Sequence, residues 1–303
     1  MGSQAKGQQQ RRKNQPTTDP QQARQQTRQD AQWQQQQQLE HPSPRFQSPA
    51  SSMAGQSWAL LPSLCLGGQE QMQLDRWMLQ QVSAGAISNA PQALLRFYRW
   101  SSPTLSLGHH QAPPRGTTPH ELPWVQRPSG GATVLHGGDL CYAIALATPP
   151  RGRRQAYGDL NRWLQIGFQQ LGQQLQGGSE PQRRHLPHCF ASATAADLVD
   201  NGGNKRIGSA QLWRQGRLLQ HGSIQLNPDQ QLWQQLFGDA APAHLDGNSA
   251  EQLESLLTAA AQRWLFACAP LQWAWPEPWP WAALTSGNAA TVSAIGAKDK
   301  PRG

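Results

Sequence analysis

The first fifty residues carry almost no hydrophobic pattern, and then the chain changes character. Leu74, Trp77, Met78 and Val82 fall at i, i+3, i+4 and i+8, so Gln69 to Val82 predicts a helix. Leu94 to Trp100 reads Leu-Leu-Arg-Phe-Tyr-Arg-Trp, an aromatic-rich stretch that predicts a strand. Thr104 to Leu107 predicts a second, short strand stopped by Gly108. A polar, Pro-rich loop covers 111–123. The strand pattern resumes at Val125 and, beyond the Gly130-Gly131 turn, at Val134-Leu135. After Gly137-Gly138 comes Leu140 to Ala147, apolar at nearly every position, as expected of a strand buried on both faces.

The longest predicted helix covers about 156–176. Leu160, Trp163, Leu164, Phe168, Leu171 and Leu175 share one face, and Gly177-Gly178 is expected to cap its end. A basic loop, Arg183 to His188, leads to Cys189. Thr194 to Val199 and Arg206 to Arg214 predict strands around the turn Asn201-Gly-Gly-Asn, and Arg217 to Leu226 predicts another. Helices are expected at 228–236 and 250–268. No internal repeat is present. Strands interleaved with a few helices, without strict βαβ alternation, give an α+β class. The expected organisation is a disordered Gln-rich tail over 1–54, one catalytic domain over 55–270, and a flexible C-terminal tail over 271–303.

Composition sharpens the two ends. Residues 1–50 hold 17 Gln and few large apolar side chains, too little to offset the entropy of ordering them. They also hold seven basic residues against three acidic, half of the +8 net charge. The remaining surface is mildly basic, which suits an acidic protein partner; no specific nucleic-acid role is expected. Met53 opens a segment of ordinary globular composition, and the natural start is expected there. The four cysteines (65, 141, 189 and 268) have neither metal-ligand nor redox spacing, so reduced thiols in a cytoplasm are expected. No apolar run reaches membrane-spanning length.

Candidate chemistry collects at a few places. Gly130-Gly131 brings the backbone close enough to cradle a phosphate or an acyl carbonyl, although a plain β-turn explains the pair equally well. Lys205, in Asn-Lys-Arg-Ile-Gly-Ser-Ala-Gln, is placed to meet a carboxylate, phosphate or oxyanion, or is simply a solvated turn lysine. His221-Gly222-Ser223 puts a glycine mid-strand, a mark of close approach, and His136-Gly137-Gly138 repeats the signature. Cys189 follows Arg183, Arg184, His185 and His188, and positive neighbours favour a nucleophilic thiolate. Cys65, Cys141 and Cys268 read as inert thiols.

Taken in order, these blocks resemble the biotin/lipoate A/B protein ligase family. The match rests on Leu74-Asp75, Leu94 to Trp100, Pro103 to Gln111, Arg127-Pro-Ser-Gly-Gly-Ala-Thr-Val-Leu-His136, Lys205 to Gln211 and Leu219 to Ile224. It implies an α+β fold with a mixed sheet, and attachment of lipoate, octanoate or biotin to one lysine of an acceptor domain. The glycine-arginine loop of biotin ligases is absent. Cys189-Phe190, just upstream of the motif lysine, resembles the LipM-type octanoyltransferase branch, whereas lipoate ligases carry Arg-Asn-Asp-Leu there. The resemblance thus implies Cys189 and Lys205 as catalytic residues. It implies Arg127, Ser129, Gly130, Gly131, His136, Gly208, Ser209, His221 and Gly222 around the substrate.

The transferase reading needs no cofactor or metal. Its donor is octanoyl-acyl carrier protein, and its acceptor is a lipoyl domain or a glycine cleavage H-type protein. The ligase alternative uses ATP and Mg. The chain departs from the family pattern at Ala132 (usually arginine), at Gly137 (usually acidic), at Ala191 and in a Cys189–Lys205 spacing one residue longer. These departures leave a third reading, a non-catalytic relative that binds acyl groups or carrier proteins.

Overall fold

The computed structural model describes residues 51–84, 90–113, 121–180, 188–245, 247, 249–277 and 279. Every described residue lies in one compact unit within 49–303. Most of the expected disordered and flexible tails therefore falls outside the described residues.

A seven-stranded mixed sheet forms the centre. Its strands are β1 (Trp58–Leu66), β2 (Ala93–Trp100), β6 (Asp139–Leu146), β7 (Gln176–Gly177), β8 (Leu198–Val199), β9 (Lys205–Arg214) and β10 (Arg217–Gln225), in the order β1-β2-β6-β10-β9-β8-β7. β1 and β2 run parallel and the other pairs antiparallel. A second sheet joins β4 (Trp124–Gln126), β3 (Thr104–Leu107) and β5 (Val134–His136). The α+β class is what the residue pattern predicts, and the mixed sheet is what the family resemblance implies.

Alternation along the strands sorts the large sheet into two faces. Arg96, Tyr98, Cys141, Ala143, His221, Ser223, Gly208 and Ala210 lie across from one another in register on one face. Helix α1 (Gly68–Gln81) packs there, through Met72, Met78 and Leu79. On the opposite face, Phe97 and Tyr142 meet Trp163 of α2 (Arg153–Gln169). The Trp163 indole donates to the carbonyl of Leu257, which ties α2 to α4 (Ala250–Ala260). Helix α3 (Gln230–Phe237) covers the small sheet, with Trp233 against Leu105 and Leu135.

Several elements differ from expectation. β1 is absent from the sequence reading. It contains Pro62, and its pairing with β2 slips between Leu61 and Leu64, the place an edge strand tolerates proline. Helix α2 stops at Gln169, seven residues early. Gly172 adopts φ 71° while its N–H bonds to Gln169 and that of Gln173 bonds to Phe168, which closes the helix in a left-handed cap. Gly177 is instead part of β7, and a side chain at Gly178 would strike the Ala193 carbonyl. Only Leu198–Val199 of the strand expected over 194–199 pairs, because Thr194 and Asp197 close a turn on each other. The helix expected over 250–268 leaves α geometry at Ala261 and ends in a π-turn, Ala261–Leu265.

The boundaries move outward at both ends. Met53 is fully buried and the Gly55 N–H bonds to Phe266, so order begins before residue 55. Leu271 bridges to Ala59 and donates to Trp58, while Trp275 packs on Trp77 and donates to Pro62. The packed unit therefore runs past residue 270 and fastens on the free edge of β1.

Candidate active site

The face of the large sheet that carries α1 meets the small sheet at a narrow, mostly apolar cavity. Met72, Tyr98, Trp100 and Val134 supply its apolar wall, and Cys189 lines it beside them. Cys189 begins a one-turn 3₁₀ helix, Cys189–Ala191. Its N–H bonds to Thr133 at 2.7 Å, and its neighbour Phe190 packs on Trp233. The turn is thereby pinned to the small sheet. Gly208 makes room beneath it, since a Cβ there would lie 3.2 Å from the Cys189 sulfur.

Lys205, the first residue of β9, is buried. Its ammonium donates to the carbonyls of Cys189 (2.6 Å) and Ser192 (3.1 Å), pairs with Asp197 (3.0 Å), and lies 3.4 Å from the Cys189 sulfur. A buried ammonium needs such partners to remain charged. Lys205 on β9 is thus a positive neighbour of Cys189, and the Arg127 guanidinium interacts with it electrostatically as well. His188 turns its ring towards Asp239, Trp233 and Phe237 instead. Arg183, Arg184 and His185 lie outside the described residues.

Two His–Asp pairs stand beside the cavity. His221 on β10 places Nδ1 2.7 Å from Asp75 of α1 and Nε2 against the hydroxyl of Ser129. Asp75 is fully buried and also holds Arg96 at 2.6 Å. Burial alone would raise the Asp75 carboxyl; Arg96 and His221 outweigh it and hold it below the ordinary carboxylate range. With Asp75 ionised, Nδ1 of His221 donates to it, and in a neutral ring Nε2 would then accept from Ser129. The second pair is His136 Nδ1 on Asp139 at 2.7 Å, with the His136 ring stacked on Trp100. Ser223 and Cys141 donate to the same Asp139 oxygen. Burial opposes ionisation of Asp139, but His136, Ser223 and Cys141 bring its pKa down to about 2.

The cavity gathers most of the expected residues, with changed duties for some. Arg127, Gly130, Gly131, His136, Cys189, Gly208, Ser209, His221 and Gly222 all border it. The guanidinium of Arg127, however, is committed to the carbonyls of Ser106, Gly130 and Ala132, so it shapes the glycine loop. Ser129 does not border the cavity; its hydroxyl ties that loop to His221. Ser209 spends its hydroxyl on Tyr142 on the far face, and Gly222 is small because Tyr142 fills the space a Cβ would need. Lys205 borders a neighbouring groove and reaches the cavity only through the sulfur.

Asp75, Asp139 and Asp197 escaped the list of candidates. At the departure after the histidine, Gly137 takes φ 123°, and Asp139 two positions on holds both the His136 ring and the Gly137 N–H. His136, Asp139 and Cys141 also bring three potential metal-ligand atoms within 4.8 Å of one another, but these atoms are engaged with each other and with Ser223.

Residues 68–262 match the model of the lipoyl protein ligase A/B catalytic domain. The chain belongs to this family. Among relatives of this catalytic domain, octanoyltransferase LipM of Oceanobacillus iheyensis is 33% identical over 192 residues, which cover 60% of this chain and 68% of that one. Octanoyltransferase LipM of Symbiobacterium thermophilum is 33% identical over 187 residues, 57% of this chain and 66% of that one. The chain thus spans about two thirds of the length of these relatives. In fold it is similar to a lipoate-protein ligase A crystallised with ATP, at a TM-score of 0.61 and 17% identity over 73% of this chain and 90% of that one.

Proposed function

We propose that this protein transfers an octanoyl group from a carrier thioester to a lysine of a lipoyl-acceptor protein, through an acyl-cysteine at Cys189. The observation that carries the reading is the position of one sulfur. Cys189 lines an apolar cavity suited to an acyl chain, with the Lys205 ammonium 3.4 Å from its sulfur. The named LipM relatives support the same chemistry. The Cys189 sulfur attacks the thioester carbon, and the donor carbon–sulfur bond breaks. The donor thiol departs with the proton that Cys189 surrenders. Charge on the tetrahedral oxygen is met by Lys205 and by backbone N–H groups of the Gly130-Gly131 loop. The acceptor amine then attacks the acyl-cysteine, and the Cys189 thiol is regenerated. A thioester enters and an amide leaves, so no ATP and no metal is consumed.

The cytoplasm is the compartment that suits a carrier-borne donor. Among the described residues no helix is long and apolar enough to cross a membrane. Incubation with octanoyl-acyl carrier protein in the absence of ATP, followed by intact-mass spectrometry, tests the reading. An octanoyl adduct on the wild type that is lost in Cys189→Ser is expected. ATP-dependent lipoylation without an adduct would replace it with the ligase reading, and neither activity would leave a binding module.

A further inference from the structure

The acyl cavity has an open end and a closed one. At the open end stand Cys189 and Gly130, both half-buried, and Gly131, which is exposed. At the other end Met72, Tyr98 and Trp100 line it, and all three are buried. The strand register fixes how far apart these ends lie. Gly208 on β9 pairs with Ser223 on β10, Ser223 with Cys141 on β6, and Cys141 with Tyr98 on β2. The four form one row across the sheet.

That row is a measure of length. The Cys189 sulfur lies 3.2 Å from where a Cβ on Gly208 would stand, so an acyl chain on it starts over one end. Tyr98 stands at the other. Neighbouring strands are about 4.8 Å apart, so three spacings separate the ends by about 14 Å. An extended chain advances about 1.3 Å per carbon–carbon bond, so an octanoyl group reaches about 11 Å from the sulfur, and its methyl needs about 4 Å more for contact. Eight carbons thus fill the row to within about one carbon, and ten overrun it by about 3 Å. Between the ends, the stacked rings of Trp100 and His136 lie against Cys141 and line the cavity in its place.

A length limit needs an end that does not yield. The Arg96 guanidinium lies 3.9 Å from the centre of the Tyr98 ring, and Asp75 and Gln71 each hold Arg96 at 2.6 Å. Met72 of α1 is the softer part of the wall, since a thioether chain adapts its shape. We propose that Tyr98, assisted by Met72, measures the acyl chain and restricts the site to chains of about eight carbons. The assignment rests on the acyl-transfer reading above and adds which residues select the donor by length.

The test separates binding from chemistry. Straight-chain carboxylic acids of six to twelve carbons are titrated calorimetrically into full-length Cys189→Ser, alone and combined with Tyr98→Ala, Tyr98→Phe or Met72→Ala. Affinity should rise about fourfold per methylene up to eight carbons and then level off or fall. Tyr98→Ala and Met72→Ala should move the tightest chain up by two carbons or more; Tyr98→Phe, which keeps the ring, should leave it at eight. Absence of binding across the series, or affinity that climbs evenly to twelve carbons before any wall substitution, would overturn the assignment. So would an unmoved optimum in whichever alanine variants fold, or one that Tyr98→Phe moves as far as Tyr98→Ala. A limit at eight carbons beside a wild type that never acylates Cys189 keeps the assignment and sinks the transferase reading. Acylation of wild-type Cys189 as fast from dodecanoyl- as from octanoyl-acyl carrier protein does the reverse.

Discussion

At the residue scale, the site is built on buried charge that has been paired off. Arg96 and Asp75 are both fully buried, so Arg96→Met strands a carboxylate in the core. Equilibrium denaturation should show a loss of about 3–5 kcal/mol. Asp139 gives a pH signature. Its folded pKa of about 2 lies below the ordinary 3.8, so its contribution is fully present above pH 4 and lost as pH falls towards 2. That contribution is on the order of 2 kcal/mol, from the size of the shift. Stability of the wild type should fall across that window, and Asp139→Asn should remove this component of the slope. The sequence shows Cys189, Lys205, His136 and His221 because each stands in a short motif. It hides their partners. Asp75 meets His221 across 146 positions and Asp139 meets Ser223 across 84, separations at which spacing carries no signal.

At the element scale, glycines decide which strands can approach. A Cβ at Gly208 would lie 3.1 Å from Lys205 Cε and 3.2 Å from the Cys189 sulfur. Gly208→Ala should keep the fold while slowing Cys189 acylation about tenfold or more, since small displacements at reacting atoms are expensive; time-resolved mass spectrometry reads this directly. Gly222→Ala meets the Tyr142 ring at 2.5 Å on the other face, and should instead cost about 1–3 kcal/mol in a thermal melt. Most strands and helices were legible because their patterns are regular. β1 was not, since Pro62 interrupts it and its first residues are apolar on both faces. The end of α2 was misread because Gly172 looks like an interior glycine until its positive φ is known.

At the scale of the whole molecule, the compact unit is closed by contacts between its first and last segments. Gln56 accepts from Cys268 across 212 positions, Trp58 stacks on Phe266, and Leu271 seals the start of β1. Removing residues 271–303 should lower the melting temperature by several degrees, a loss of about 1–3 kcal/mol for the half-buried Trp275 ring and the Leu271 backbone hydrogen bond. The tails looked separable in the sequence because composition changes near both ends, while the hydrogen bonds that define the boundary are long-range. This closure also sets a timetable. A chain growing at about 5–20 residues per second exposes β1 some 10–40 s before its last partner is made. Throughout that interval an apolar strand edge stands open to other chains, so the nascent protein is the form that most needs a chaperone.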